Sequence, residues 1–266
     1  MTNERVPIGV IMIERHGRVQ TEMKFPLNEQ GRYPLTAEAR AEAREIGKKL
    51  YGYLNEQGLL DVMAKNGAYL HFAPSPYVRA IETGEQTALK LHRLLNKQGI
   101  KVQTALRHKE PVESLRFLKV PDMEHYPASK SVIDLKWSEE ENAFVRSKEP
   151  GGKTPEGWED LDHAIRRAKT PAMLRKEIVR RFLENEKQNK KHGPFPVHAW
   201  ISHGPGAKAE DLTEPRSPIG FALKHLFSPK ERQQFNLPVE LVRGQAVAAI
   251  VYSDGSVHAR HLKPGD

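Results

Sequence analysis

The chain has no cysteine, which excludes a disulfide framework, a thiol nucleophile and a thiolate metal site. Nothing in it calls for an oxidising compartment, and a cytoplasmic location is expected. It also lacks any apolar stretch of membrane-spanning length, because Arg243 and Gln245 interrupt even the most apolar region near its end. The first apolar run, Ile8 to Ile13, leads straight into Arg15-His16, so no signal peptide is expected in front of it. Internal repeats and low-complexity tails are missing as well. A length of 266 residues suits one α/β core with a sizeable insertion, so 1–266 reads as a single domain.

What is present in excess is positive charge, +8 overall. Such a balance fits either a nucleic-acid surface or a field that draws in anionic substrates. Much of it lies between Arg166 and Lys191, where Leu174, Ile178, Val179, Phe182 and Leu183 recur at helical spacing with basic residues between them. That pattern is an amphipathic helix with a solvated basic face. RNA-type recognition interleaves aromatics with the basic residues, whereas Phe182 falls on the apolar stripe, so nucleic acid is disfavoured as a partner.

The first half alternates strand and helix signals, the mark of crossover units and a mainly parallel sheet. Ile8 to Ile13 is a continuous apolar run, as in a strand buried on both faces. Thr36 is placed to N-cap a helix whose positions Ala39, Ala43, Ile46, Leu50 and Leu54 trace one face, with Gly58 and Gly67 bracketing its exit. Ala68 to Ala73 reads as a second strand, stopped by Pro74 and Pro76 before a helix carrying Ile81, Ala88, Leu91 and Leu95. A third strand, Lys101 to Leu106, ends in a polar segment containing Glu110-Pro111. From Ser114 to Asp162 periodicity fades into proline, charge and scattered aromatics, and residues 114–162 read as an inserted cap or lid. Val197 to Ser202 forms a fourth strand. Ala246 to Tyr252 and Val257 to Leu262, joined by Ser253-Asp254-Gly255-Ser256, predict a C-terminal β-hairpin.

The chemistry gathers at the strand ends. Arg15-His16-Gly17 follows the first strand, Ser75-Pro76 leads to Arg79 after the second, Glu110-Pro111 follows the third, and His203-Gly204 follows the fourth. Carboxyl ends of parallel strands share one sheet edge, where ligands bind, so these groups are expected to converge. A neutral imidazole nitrogen can attack phosphorus when its other nitrogen is held by a hydrogen bond, and a neighbouring guanidinium can grip two phosphate oxygens. Arg79 in a first helical turn adds the amides and dipole of a helix N-terminus. Gly17 and Gly204 allow close approach of backbone to ligand. A phosphate-handling enzyme is the leading interpretation. Two other motifs carry less: Gly152-Lys153-Thr154 mimics the end of a P-loop without a preceding strand, and His258 and His261 are set at an odd offset in a strand and so face apart.

Taken in order, Arg15-His16-Gly17, Pro34-Leu35-Thr36, Ser75-Pro76-Tyr77-Val78-Arg79-Ala80 with Glu82-Thr83, and His203-Gly204 resemble the histidine phosphatase superfamily, the phosphoglycerate mutase-like fold. Pro150-Gly151-Gly152-Lys153-Thr154 resembles its Gly-Glu-Ser segment, with Lys153 where an acid is usual. His-Gly at the second histidine resembles the mutase and small-phosphatase branch. The resemblance implies a three-layer α/β/α domain and a metal-independent phosphatase without cofactor, acting on an anionic phosphomonoester. It further implies that His16 becomes phosphohistidine while Arg15, Arg79 and His203 hold the phosphoryl oxygens, with Gly17, Arg18 and Gly204 around the substrate. The proton donor is Glu110 or, close behind it, Glu113. Arg18 stands where many members have an acid, and Ala39 where the first helix often has glycine. The mutase-type first loop is not evident, which favours a phosphatase over a phosphoglycerate mutase-type phosphotransferase. A catalytically silent member that binds phosphorylated or nucleic-acid partners is the rival of a different class.

Overall fold

A computed structural model of the chain describes residues 5–20, 34–74, 78–106, 135–138, 143–146, 169–202, 215 and 217–265. Its strands are Pro7–Arg15 (β1), Ala68–Pro74 (β2), Val102–Leu106 (β3), Leu135–Ser138 (β4), Ala143–Arg146 (β5), Phe195–Ser202 (β6), Ala246–Tyr252 (β7) and Val257–Leu262 (β8). Its helices are Ala37–Glu56 (α1), Leu59–Asn66 (α2), Val78–Lys97 (α3), Thr170–Lys187 (α4), Pro218–Leu226 (α5) and Pro229–Gln234 (α6).

The central sheet runs β3-β2-β6-β1-β7-β8. The pairs β2 with β3, β2 with β6 and β1 with β6 are parallel, while β7 and β8 close one side as an antiparallel hairpin. The sheet is therefore mainly parallel with the predicted C-terminal hairpin at its edge. Alternation along β1 explains its unbroken apolar sequence. Val10 and Met12 join a core with α1, α2 and α3, whereas Ile11 and Ile13 join a second core with α4 and α5. A strand between two layers must be apolar at every position, and each such side chain removed from water is worth about 1.5–3 kcal/mol. The result is a three-layer α/β/α architecture.

Helix α1 begins where its sequence says it should. The Thr36 hydroxyl accepts the Ala39 N–H at 3.1 Å, and Ala39, Ala43, Ile46, Leu50 and Leu54 are all buried. Gly47 lets α1 lie directly on α3, since a Cβ there would come within 2.6 Å of the Thr87 carbonyl oxygen. This close approach brings the starts of both helices beside the end of β1.

Three expectations need adjusting. Gly58 and Gly67 do not simply bracket an exit: α2 lies between them, its Leu59 and Met63 buried at helical spacing, too short a pattern to stand out in sequence. In α4, Ile178 packs on the core with Leu174, Val179 and Phe182 beside it, but Leu183, expected on the same stripe, is 45% exposed because it is turned about 100° from Phe182, past the packed face. The irregular stretch from Ser114 contains the antiparallel pair β4 and β5. The rest of 114–162 lies outside the described residues. Among the described residues no helix is long and apolar enough to cross a membrane. The basic face of α4 is internally paired, with Arg180 bonded to Glu177 and Glu184 and Arg181 bonded to Glu177.

Candidate active site

The carboxyl end of β1 delivers Arg15 and then His16 between two neighbours. The His16 N–H donates to the Ser202 carbonyl at the end of β6 (3.2 Å). On the other side the Arg15 N–H donates to the Gln245 carbonyl (2.9 Å), and the Gly244 N–H donates to the Arg15 carbonyl (3.2 Å). The segment is thus clamped between β6 and the turn that enters β7.

The His16 ring is buried, and its Nδ1 lies 2.7 Å from the Gly17 carbonyl oxygen. A carbonyl can only accept, so Nδ1 carries the proton and the lone pair is left on Nε2. Burial holds the imidazole pKa well below 6.5. The positive charge of Arg79 pushes the same way, the bond to Gly17 opposes it, and Arg15 and Arg243 add to the depression. His16 is consequently a neutral imidazole of defined tautomer.

Arg15 is 3% exposed, and its Nη1 donates to the Leu241 carbonyl at 2.7 Å. Burial lowers its pKa to about 10, helped by the charge of Arg243 and opposed by that of Glu240, so it stays cationic at neutral pH. Glu240 is itself buried and accepts the Ser217 hydroxyl at 2.5 Å, while Ser217 also accepts the Gly220 N–H to cap α5. The buried Ser202 hydroxyl has no partner among the described residues.

Arg79 comes from the first turn of α3, and one threonine ties that turn to the histidine. Thr83 donates to the Arg79 carbonyl (2.7 Å) and accepts the Gly17 N–H (3.3 Å). Glu82 next to it accepts the Leu35 N–H at 2.6 Å and pairs with Arg40 at 3.2 Å. The Thr36 N–H donates to the Arg18 carbonyl at 3.1 Å, which places the exposed Arg18 at the mouth of the same edge. The sequence expectation for Gly17 has a further basis: a Cβ there would sit 2.7 Å from the Ala39 Cβ, so the residue is small because α1 packs on it.

The structure therefore brings together Arg15, His16, Gly17, Arg18 and Arg79. Glu110, Glu113, His203 and Gly204 lie outside the described residues. The site also has members that sequence reasoning missed: Glu240, the Leu241 carbonyl and Arg243, all in the loop before β7. Their only sequence signal is a charged break ahead of an apolar run, which does not say that the loop folds back on Arg15. Among the described residues no group of three or more His, Asp or Glu side chains is placed to share a metal ion.

No family model and no curated protein matches the chain. Solved structures similar to it include the mycobacterial glucosyl-3-phosphoglycerate phosphatase, at 15% identity over 97% of this chain and 99% of that one, with a TM-score of 0.39. Another is a phosphoserine phosphatase from Entamoeba histolytica in complex with 3-phosphoglyceric acid, at 16% identity over 96% and 97% of the two chains and a TM-score of 0.37. The alpha-ribazole phosphatase of Shigella flexneri is 14% identical over 96% of each chain, with a TM-score of 0.35.

Proposed function

We propose that this protein is a phosphatase that hydrolyses a phosphomonoester through a phosphohistidine on His16. The observation that carries this reading is the state of His16: neutral, with Nδ1–H held by the Gly17 carbonyl, and flanked by the cations Arg15 and Arg79. A nucleophile toward phosphorus needs a lone pair, a fixed direction and nearby positive charge, and all three coincide here.

In the first step the Nε2 lone pair attacks phosphorus and the bond from phosphorus to the ester oxygen breaks. The departing oxygen takes a proton from a carboxylic acid, for which Glu110 is the choice and Glu113 the alternative. In the second step water attacks the phosphohistidine, gives a proton to that carboxylate, and the P–N bond breaks to release phosphate and restore His16. Arg15, Arg79 and His203 neutralise the equatorial oxygens throughout.

The test is to quench the enzyme during turnover of a generic aryl phosphate and look for acid-labile, base-stable phosphate on the protein. It is expected on the natural chain and absent from His16→Ala, whose turnover should fall by several orders of magnitude, and neither result should change with EDTA. Near-normal turnover by His16→Ala, or strict dependence on added Mg²⁺ or Zn²⁺, overturns the mechanism. Transfer of the phosphoryl group to a second hydroxyl in place of water would identify a mutase.

A further inference from the structure

Arg243 lies in the turn that enters β7, and that turn is fastened to the strand bearing the nucleophile at three points. The Arg15 N–H meets the Gln245 carbonyl at 2.9 Å, the Gly244 N–H meets the Arg15 carbonyl at 3.2 Å, and the Arg15 guanidinium meets the Leu241 carbonyl at 2.7 Å. Within the turn the Gln245 N–H donates to the Val242 carbonyl (3.1 Å) and the Val242 N–H donates to the Gln245 side-chain oxygen (3.2 Å). Arg243 is therefore carried on a turn braced internally and against the site. Its side chain is exposed, and no carboxylate among the described residues pairs with it. Its charge is nonetheless felt at both Arg15 and His16.

Position along the sheet separates Arg243 from the other cations. In the strand order β1 sits between β6 and β7. Arg79 stands at the start of α3, which follows β2 and packs on β2, β3 and β6, whereas Arg243 stands in the turn that leads into β7. Arg15, Arg79 and His203 are the groups assigned above to the phosphoryl group being transferred. A cation on the opposite flank, exposed and without a carboxylate partner among the described residues, is placed for negative charge elsewhere on the same ligand.

We propose that Arg243 forms a second anion subsite beside His16, selecting phosphomonoesters that carry another acidic group, a carboxylate or a second phosphate, a few bonds from the ester. This inference rests on the phosphatase reading above. It makes Arg243 a specificity residue and leaves the bond-breaking steps to His16 and its neighbours.

The experiment compares 3-phosphoglycerate with glycerol 3-phosphate, which differ in a carboxylate for a hydroxymethyl group, and adds glycerol 1,3-bisphosphate as the second-phosphate arm. The natural chain should favour at least one doubly acidic ester, and the arm that responds names the second group. In Arg243→Gln that preference in kcat/KM should fall by about tenfold, with Arg243→Lys retaining most of it. An effect of Arg243 on His16 itself moves all three esters together and cancels in the ratio. Calorimetric binding of 3-phosphoglycerate and glycerol 3-phosphate to the natural chain and Arg243→Gln supplies a readout without turnover. Binding preference lost in Arg243→Gln without hydrolysis of any ester leaves the subsite standing and sinks the phosphatase reading. Hydrolysis through His16 with no preference, or with a preference that Arg243→Gln leaves intact, sinks the subsite alone. Neither binding nor hydrolysis sinks both.

Discussion

The Thr87 hydroxyl lies 2.9 Å from Glu14 Oε1, in a pocket where Glu14 is fully buried one residue before Arg15. The same hydroxyl lies 3.0 Å from the Ala43 carbonyl oxygen, so one proton faces two acceptors. A protonated Glu14 resolves this by donating to Thr87, which in turn donates to Ala43. Burial, only partly offset by the bond to Thr87, pushes the Glu14 pKa up from 4.5 to about 8, and its Oε2 has no partner among the described residues. The carboxyl beneath the strand that carries His16 is therefore uncharged at neutral pH.

This has a measurable sign. The folded state holds the Glu14 proton between pH 4.5 and about 8, whereas the unfolded chain has released it. The stability associated with this group is fully present below about pH 4.5 and is lost as the pH climbs to 8. His16 and His198, both held below 6.5 chiefly by burial, act in the opposite sense, their contribution disappearing as the pH falls below 6.5. The readout is therefore the difference between the natural chain and Glu14→Gln in urea midpoints from pH 5 to 9. The variant should gain relative stability toward alkaline pH, by a few kcal/mol at most. A difference independent of pH would mean that Glu14 is ionised in the fold.

Gly17→Ala tests the contact that seats His16. The new methyl group would press on the Ala39 Cβ in the first turn of α1, and the Ala39 backbone lies 3.5 Å away. Overpacking of this kind costs about 1–3 kcal/mol. Because Gly17 also supplies the carbonyl that fixes the His16 tautomer, turnover should fall more than stability alone explains. Thermal unfolding and kcat measured on the same preparation check this, and full activity in a destabilised variant would show that the tautomer is set elsewhere.

Glu240→Gln removes a buried carboxylate whose charge supports that of Arg15. The Ser217 hydroxyl bond and the packing against Gly220 persist in the amide, so the change is mainly one of charge. Stability should drop by about 3 kcal/mol, the scale for breaking a buried charge pair. Retention of inorganic phosphate should tighten alongside it, since the positive charge of Arg15 is no longer offset by Glu240. Phosphate affinity at unchanged value would reduce Glu240 to a cap-bracing role for α5.

Much of this protein is legible in order along the chain. The β1 run, the Thr36 cap, the hairpin of β7 and β8, and the sequence Arg15-His16-Gly17 at a strand end each announce themselves through local chemistry: β-branched apolar runs, a side-chain oxygen before a helix, Asp-Gly in a tight turn. Those signals reach only a few residues; they sufficed for a mainly parallel α/β sheet and for setting Arg15, His16 and Arg79 at strand ends, while the three layers followed from the family resemblance. Local pattern says nothing of which distant segment closes around Arg15. The loop from Glu240 to Gln245, some 225 residues away in sequence, reaches the site only because β7 pairs antiparallel with β1. Glu14 reads in sequence as one charged residue among many at a strand end, and its neutral state arises because α1 and α3 meet over it and shield it from solvent. Tertiary structure decided the protonation of Glu14 and His16 and the company kept by Arg15, because desolvation and charge proximity are properties of the packed chain.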